Sequence, residues 1–144
     1  MQHARLAAEF LLVDHDPSIS ESLATYLSER GHPSNATIEG NTALDWLSEK
    51  RCEVVVVDLN LPDANGTSLI ASLRAIDSRL PIVVFTENGC NEVQVRAAMR
   101  AGANGYVSKN LPMEQLYCVL ARVLAAARYN ARRIRLQREL LGAA

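Results

Sequence analysis

Four residues that can do phosphate chemistry each close a short apolar run. Asp14 follows Phe10-Leu11-Leu12-Val13, and Asp58 follows four consecutive valines. Thr86 follows Pro81-Ile82-Val83-Val84-Phe85, and Lys109 comes just after Tyr106-Val107-Ser108. Gathered into one cleft, their side chains would supply carboxylates, a hydroxyl and an ammonium. Clustered carboxylates repel one another and need a cation or shifted pKa values. All-oxygen ligands suit a hard cation such as Mg²⁺. With the ion bound, Asp58 stays ionised and can act as a nucleophile, as carboxylates do in forming aspartyl phosphates. Lys109 and Thr86 would then stabilise phosphoryl oxygens. Each residue also has a plainer account: Asp58 starts a turn, Lys109 is a solvated loop lysine, Thr86 is an ordinary strand-end hydroxyl. Suitable groups at four of five strand ends favour a shared site.

The elements that must position them follow from the apolar pattern. Val54 to Val57 are too apolar and too β-branched for an exposed segment and predict a strand buried on both faces of a parallel sheet. Asn60, Pro62, Asp63, Asn65 and Gly66 then turn the chain. Further strands are predicted at 10–13, 81–85 and 104–107, with a weak edge strand within 32–38. Helices are predicted over 17–29, with Ile19, Leu23, Tyr26 and Leu27 as its stripe, and over 42–50. The second has Ala43, Leu44 and Leu47 inward, Trp46 beside them, and Asn41 or Thr42 as its cap. Leu69, Ile70, Leu73 and Ile76 give a third, and 91–100 a fourth, with Val93, Ala97 and Ala98 inward and Gly102 as its stop. The loop 87–89 precedes it. The last helix starts near Pro112 and runs toward Leu141. Five alternating β-α units predict a parallel sheet with helices on both faces. The expected fold is a flavodoxin-like (βα)5 three-layer sandwich with strand order 2-1-3-4-5 and an extended C-terminal helix. In that order the ends of the first, third and fourth strands are neighbours.

Composition bounds the rest. The chain has 144 residues, 49% of them hydrophobic and 22% charged, which is one domain of ordinary globular balance. No apolar run is long enough for a membrane span, and the first ten residues make a poor signal peptide. Cys52, Cys90 and Cys118 are widely spaced, which argues against a disulfide framework or a cysteine zinc site and fits a reducing cytoplasm. From residue 128 onward five arginines face one acid, whereas the remainder holds 10 basic against 15 acidic residues. An acidic globule with a basic helical tail is expected.

The chain resembles the receiver domain of two-component response regulators. The resemblance rests on Leu12-Val13-Asp14-His15-Asp16-Pro17, on Asp58-Leu59-Asn60-Leu61-Pro62-Asp63 with Gly66, on Val84-Phe85-Thr86, and on 101–109 with Tyr106 and Lys109. It implies that Asp58 is phosphorylated by a sensor histidine kinase or phosphotransfer protein. It also implies that Asp14, Asp58 and the Asn60 backbone carbonyl hold Mg²⁺, that Lys109 pairs with the phosphoryl group, that Thr86 moves to hydrogen-bond it, and that Tyr106 changes rotamer. The face of the fourth helix, fifth strand and fifth helix would then change shape. Such a protein is no enzyme beyond its own phosphorylation and dephosphorylation.

Three positions depart from that pattern. His15 stands where the family has a second acidic ligand, and imidazole suits softer metals than Mg²⁺; Asp16 is the nearest acid that could compensate. Glu87 replaces a small residue after Thr86. Asn110 replaces the proline after Lys109, removing the usual route to a cis peptide. These departures motivate an alternative, a receiver-like interaction module working without phosphate. An aspartyl phosphatase would need an acid at Asn60, and a flavin-binding protein a Ser/Thr-rich loop after the first strand.

Residues 1–127 are expected to form the receiver domain, and 128–144 a helical extension or linker toward an output domain absent from this chain. Leu116, Leu120, Val123, Ala127, Asn130, Ile134, Gln137 and Leu141 follow 4-3 spacing, which suits a short coiled-coil seam and a homodimer. The other candidate dimer surface is the switch face itself. The arginines lie all round the helix with no second reading element, so direct DNA binding by this chain is not expected.

Overall fold

The computed structural model describes residues 9–87 and 91–142; Asn88 and Gly89 of the expected loop, Cys90 and most of the first ten residues lie outside them. Five strands, β1 (Phe10–Val13), β2 (Ser34–Thr37), β3 (Val54–Val57), β4 (Ile82–Thr86) and β5 (Gly105–Ser108), alternate with five helices. These are α1 (Pro17–Ser28), α2 (Gly40–Glu49), α3 (Gly66–Ile76), α4 (Glu92–Ala101) and α5 (Met113–Leu140). The sheet is parallel throughout, in the order β2-β1-β3-β4-β5.

Alternate residues of each strand face opposite sides, and both sides are covered. Leu11, Val13, Val55, Val57, Ile82 and Val84 pack under α2, α3 and α4. Phe10, Leu12, Val54, Val56, Val83 and Phe85 pack under α1 and α5, against Leu23, Leu27, Leu116, Leu120 and Leu124. This two-sided burial is why the central strands read as unbroken apolar runs rather than as alternation.

Three expectations about packing are corrected. Ile76 is about half exposed and Val93 is 77% exposed, so neither belongs to its helix's inner face. Ala98 alone is fully buried in α4, and that helix packs chiefly along α3. The N-terminus of α2 is not capped by Asn41 or Thr42. Glu39 stands at the cap position without a side-chain bond. The Gly40 and Asn41 N–H groups instead donate to the Asp63 carboxylate at 2.8 and 2.9 Å. A residue from the loop after β3 thus satisfies donors that a helix end leaves open, and ties that loop to α2.

Candidate functional site

Strand pairing aligns the ends of the sheet. Val13 lies opposite Val57, and the Asp58 N–H donates to the Val13 carbonyl at 2.8 Å. Asp14 and Asp58 therefore emerge side by side. Thr86 lies opposite Ser108, and the Lys109 N–H donates to the Thr86 carbonyl at 2.9 Å. Asp14, Asp58 and Thr86 are buried polar residues, and the Lys109 side chain is 4% exposed.

The Lys109 ammonium bridges the two carboxylates, 2.7 Å from Asp14 Oδ2 and 3.1 Å from Asp58 Oδ2. The other Asp58 oxygen accepts from the Asn60 N–H at 3.1 Å and from the Thr86 hydroxyl at 3.3 Å. The floor beneath is apolar, with the Phe85 ring 5.9 Å from the ammonium. Burial pushes the Asp14 carboxyl above the usual carboxylate range, although bonds from Lys109 and the Asp16 N–H pull it down. Burial alone would lower the Lys109 amine; the hydrogen bond and charge of Asp14, with those of Asp58 behind them, outweigh it and hold the amine above its ordinary value. Each charge is costly to bury alone and tolerable beside the other.

The expected residues thus converge at one site, with two qualifications. His15 turns inward. Its Nδ1 lies 2.5 Å from Asp58 Oδ2 and 3.6 Å from Asp14 Oδ1, with the side chain 43% exposed. Asp16 does not join the cluster. Its Oδ1 caps α1, accepting from the Ser18 N–H at 2.9 Å and the Ser18 hydroxyl at 2.7 Å. These bonds hold its carboxyl below the usual range. The cap fits the sequence Asp16-Pro17-Ser18, since aspartate is favoured at such a position and proline just after it. Asp16 is therefore corrected from a spare ligand to a helix cap.

Sequence reasoning undervalued one residue under the site. A Cβ on Gly66 would stand 2.5 Å from the Leu59 Cα and 2.9 Å from the Asp58 carbonyl oxygen. Only glycine lets the start of α3 press against the backbone that carries Asp58. The Asn65-Gly66 pair signalled a turn, and Asn65 indeed caps α3. Nothing local signalled the close approach. Tyr106 is half-buried on β5, packed against the face of the core under α2, α3 and α4.

Asp14, His15 and Asp58 form a metal-capable cluster, each offering one donor atom within 4.8 Å of the others. A buried acid pair bridged by a lysine lies at the carboxyl ends of parallel strands. The model of the response regulator receiver domain matches residues 10–121. The chain belongs to this family. Among curated relatives, it is 34% identical to the virulence transcriptional regulatory protein PhoP of Salmonella choleraesuis over 123 residues, covering 84% of this chain and 52% of the relative. It is 38% identical to the DNA-binding response regulator MtrA of Mycolicibacterium smegmatis over 120 residues, covering 83% and 50%. The receiver domain thus spans about half the length of the curated relatives it matches. Among solved structures, NtrX from Brucella abortus superposes with a TM-score of 0.83 at 26% identity, covering 90% of this chain and 30% of that one. The receiver domain of sensor histidine kinase PA1611 from Pseudomonas aeruginosa, with a magnesium ion coordinated in its active-site cleft, superposes with a TM-score of 0.75 at 25% identity. That match covers 83% and 98%.

Proposed function

We propose that this receiver domain accepts a phosphoryl group on Asp58 from a histidine kinase or phosphotransfer protein and signals through the face formed by α4, β5 and α5. The observation that carries the reading is the Lys109 ammonium held between the buried Asp14 and Asp58 carboxylates, with the Thr86 hydroxyl on the remaining Asp58 oxygen.

Asp58 is the nucleophile. Its carboxylate oxygen forms a bond to phosphorus as the bond from phosphorus to the donor's imidazole nitrogen breaks, and that nitrogen leaves with its electron pair. Lys109 stays within reach of the new phosphoryl oxygens, and its fixed charge favours the transferring group over the bare carboxylate. Magnesium would be held by Asp14, Asp58 and the Asn60 carbonyl; the oxygen donors fit, and the imidazole of His15 is the one unsuited member. Such an ion, when bound, neutralises charge that builds on the phosphoryl oxygens.

The phosphoryl group adds a charge of about −1.5 to −2. Thr86 gains a stronger acceptor and moves toward it. Tyr106, two residues before Ser108, which pairs with Thr86, then turns into the space released. The group selects among existing conformations by its contacts in each. Beyond its own phosphorylation and dephosphorylation the chain performs no catalysis. No helix among the described residues is long and apolar enough to cross a membrane, in keeping with work in the cytoplasm beside a kinase. The arginines of α5 serve solubility or pairing rather than DNA contact. Residues 128–144 lead toward an output domain, as the half-length match to the regulators suggests.

Intact-mass measurement after acetyl phosphate treatment tests the reading. Wild type gains one phosphoryl unit and Asp58→Asn gains none. A wild-type chain left unmodified with every divalent cation supplied at millimolar concentration would sink it.

A further inference from the structure

We infer that His15 makes this cleft selective for a nitrogen-accepting first-row divalent ion, of which Zn²⁺ is representative, over magnesium. The inference rests on the reading of the cleft as a cation and phosphoryl site, and it deepens that reading by naming the ion.

Three observations carry it. The imidazole is aimed into the cleft although 43% of the side chain is exposed, and Nδ1 faces both carboxylates, at 2.5 Å from Asp58 and 3.6 Å from Asp14. The three donor atoms lie within 4.8 Å of one another. An ion with ligand distances of about 2.0–2.2 Å in a tetrahedral set holds its donors roughly 3.3–3.6 Å apart, so a small outward turn of the exposed imidazole away from Asp58 suffices. No third side-chain carboxylate replaces the imidazole, because Asp16 is committed to Ser18 at the start of α1.

The donor chemistry then decides the ion. Magnesium demands near-ideal octahedral oxygen coordination and gains little from nitrogen. One imidazole with two carboxylates, and positions left open, is a set that zinc and its neighbours accept. Lys109 lies against both carboxylates and weakens binding of any cation. That penalty falls on all ions alike and leaves the preference set by His15 standing. The consequence is a receiver whose competence for phosphoryl transfer follows a different ion from that of a receiver with two adjacent acids.

The test is isothermal titration of the full chain with ZnCl₂ and separately with MgCl₂, for wild type, His15→Gln and His15→Asp, each checked for folding by circular dichroism. Co²⁺ serves as a second probe, because its visible absorption bands report nitrogen coordination. The expected result is that His15→Gln loses about tenfold or more in Zn²⁺ affinity and little in Mg²⁺ affinity. His15→Asp gains Mg²⁺ affinity, and the Co²⁺ spectrum of wild type changes in both variants. The inference is overturned if His15→Gln keeps wild-type Zn²⁺ affinity, which would place zinc elsewhere on the chain, or if wild type binds Mg²⁺ as tightly as His15→Asp does. Beryllofluoride addition separates the two readings. Failure to form an adduct in any variant with any ion defeats the phosphoacceptor role, while the His15-dependent titration still decides the metal.

Discussion

At the scale of residues, the site is a problem of buried charge. Asp14 and Asp58 are tolerated because Lys109 reaches both. Removing one partner of a buried pair costs about 3–5 kcal/mol, because the remaining charge is left uncompensated. Here two acids would be stranded, with His15 as partial relief. Lys109→Met is therefore expected to lose stability toward the lower end of that range, read from the urea midpoint at neutral pH. The pH dependence has a definite sign. A carboxyl whose folded value is raised contributes stability that is full below its unfolded value and lost as pH climbs through the raised one. Asp14 is such a group, and without Lys109 its carboxyl rises further. The deficit of Lys109→Met is thus largest near neutrality and shrinks on acidification. A deficit independent of pH would mean that lost packing against Phe85, rather than stranded charge, is responsible. His15 and Asp16 show how adjacent residues with similar capacity divide: one turns in to Asp58, the other is committed to a helix end.

At the scale of elements, the loop after β3 does two jobs. It carries the backbone that follows Asp58, which Gly66 of α3 approaches closely, and it lends Asp63 to the start of α2. The Asn41 and Gly40 N–H groups hold the Asp63 carboxyl below its ordinary value. A depressed carboxyl contributes stability above its unfolded value that is lost as pH falls through the folded one. Asp63→Ala is expected to speed amide hydrogen exchange at Gly40 and Asn41 while leaving the core strands protected. In wild type the same acceleration sets in only as pH falls below the ordinary carboxylate range. Unchanged exchange in the variant would show that the cap contributes nothing to holding α2.

At the scale of the whole molecule, α5 divides into a part packed on the sheet and a part that extends past it. Leu116, Leu120 and Leu124 bury themselves under the sheet. Arg128 still reaches back, its Nε and Nη2 donating to Glu53 Oε2 at 3.1 and 3.0 Å. Past that point, among the described residues, only Ile134 is half-buried, and Leu136, Leu140 and Leu141 are exposed. Past Arg128 the apolar members of the 4-3 seam are Ile134 and Leu141, and they suit pairing with a second copy. Sedimentation velocity is expected to show a dimer for wild type that shifts to monomer in Ile134→Glu, with the fold unaltered. A monomer at all concentrations, with and without beryllofluoride, would reject pairing through this helix.

The strand order followed from the alternating β-α pattern and the few right-handed topologies it leaves. The sequence by itself determined the strands and the candidate residues Asp14, Asp58, Thr86 and Lys109. Each depends on local signals: a β-branched run too apolar for solvent, ended by a polar group, with a turn behind it. The length of α5 was legible for the same reason, as was the stop at Gly102, whose φ of 121° suits glycine. Only the tertiary structure decided which neighbours those residues meet. The cap of α2 comes from a residue more than twenty positions away, the inward turn of His15 depends on Asp58 across the sheet, and the exposure of Val93 and Ile76 depends on how closely their helices lie. Periodicity along a chain records which face a residue occupies, whereas a contact between distant segments depends on how the elements pack, which no single stretch encodes.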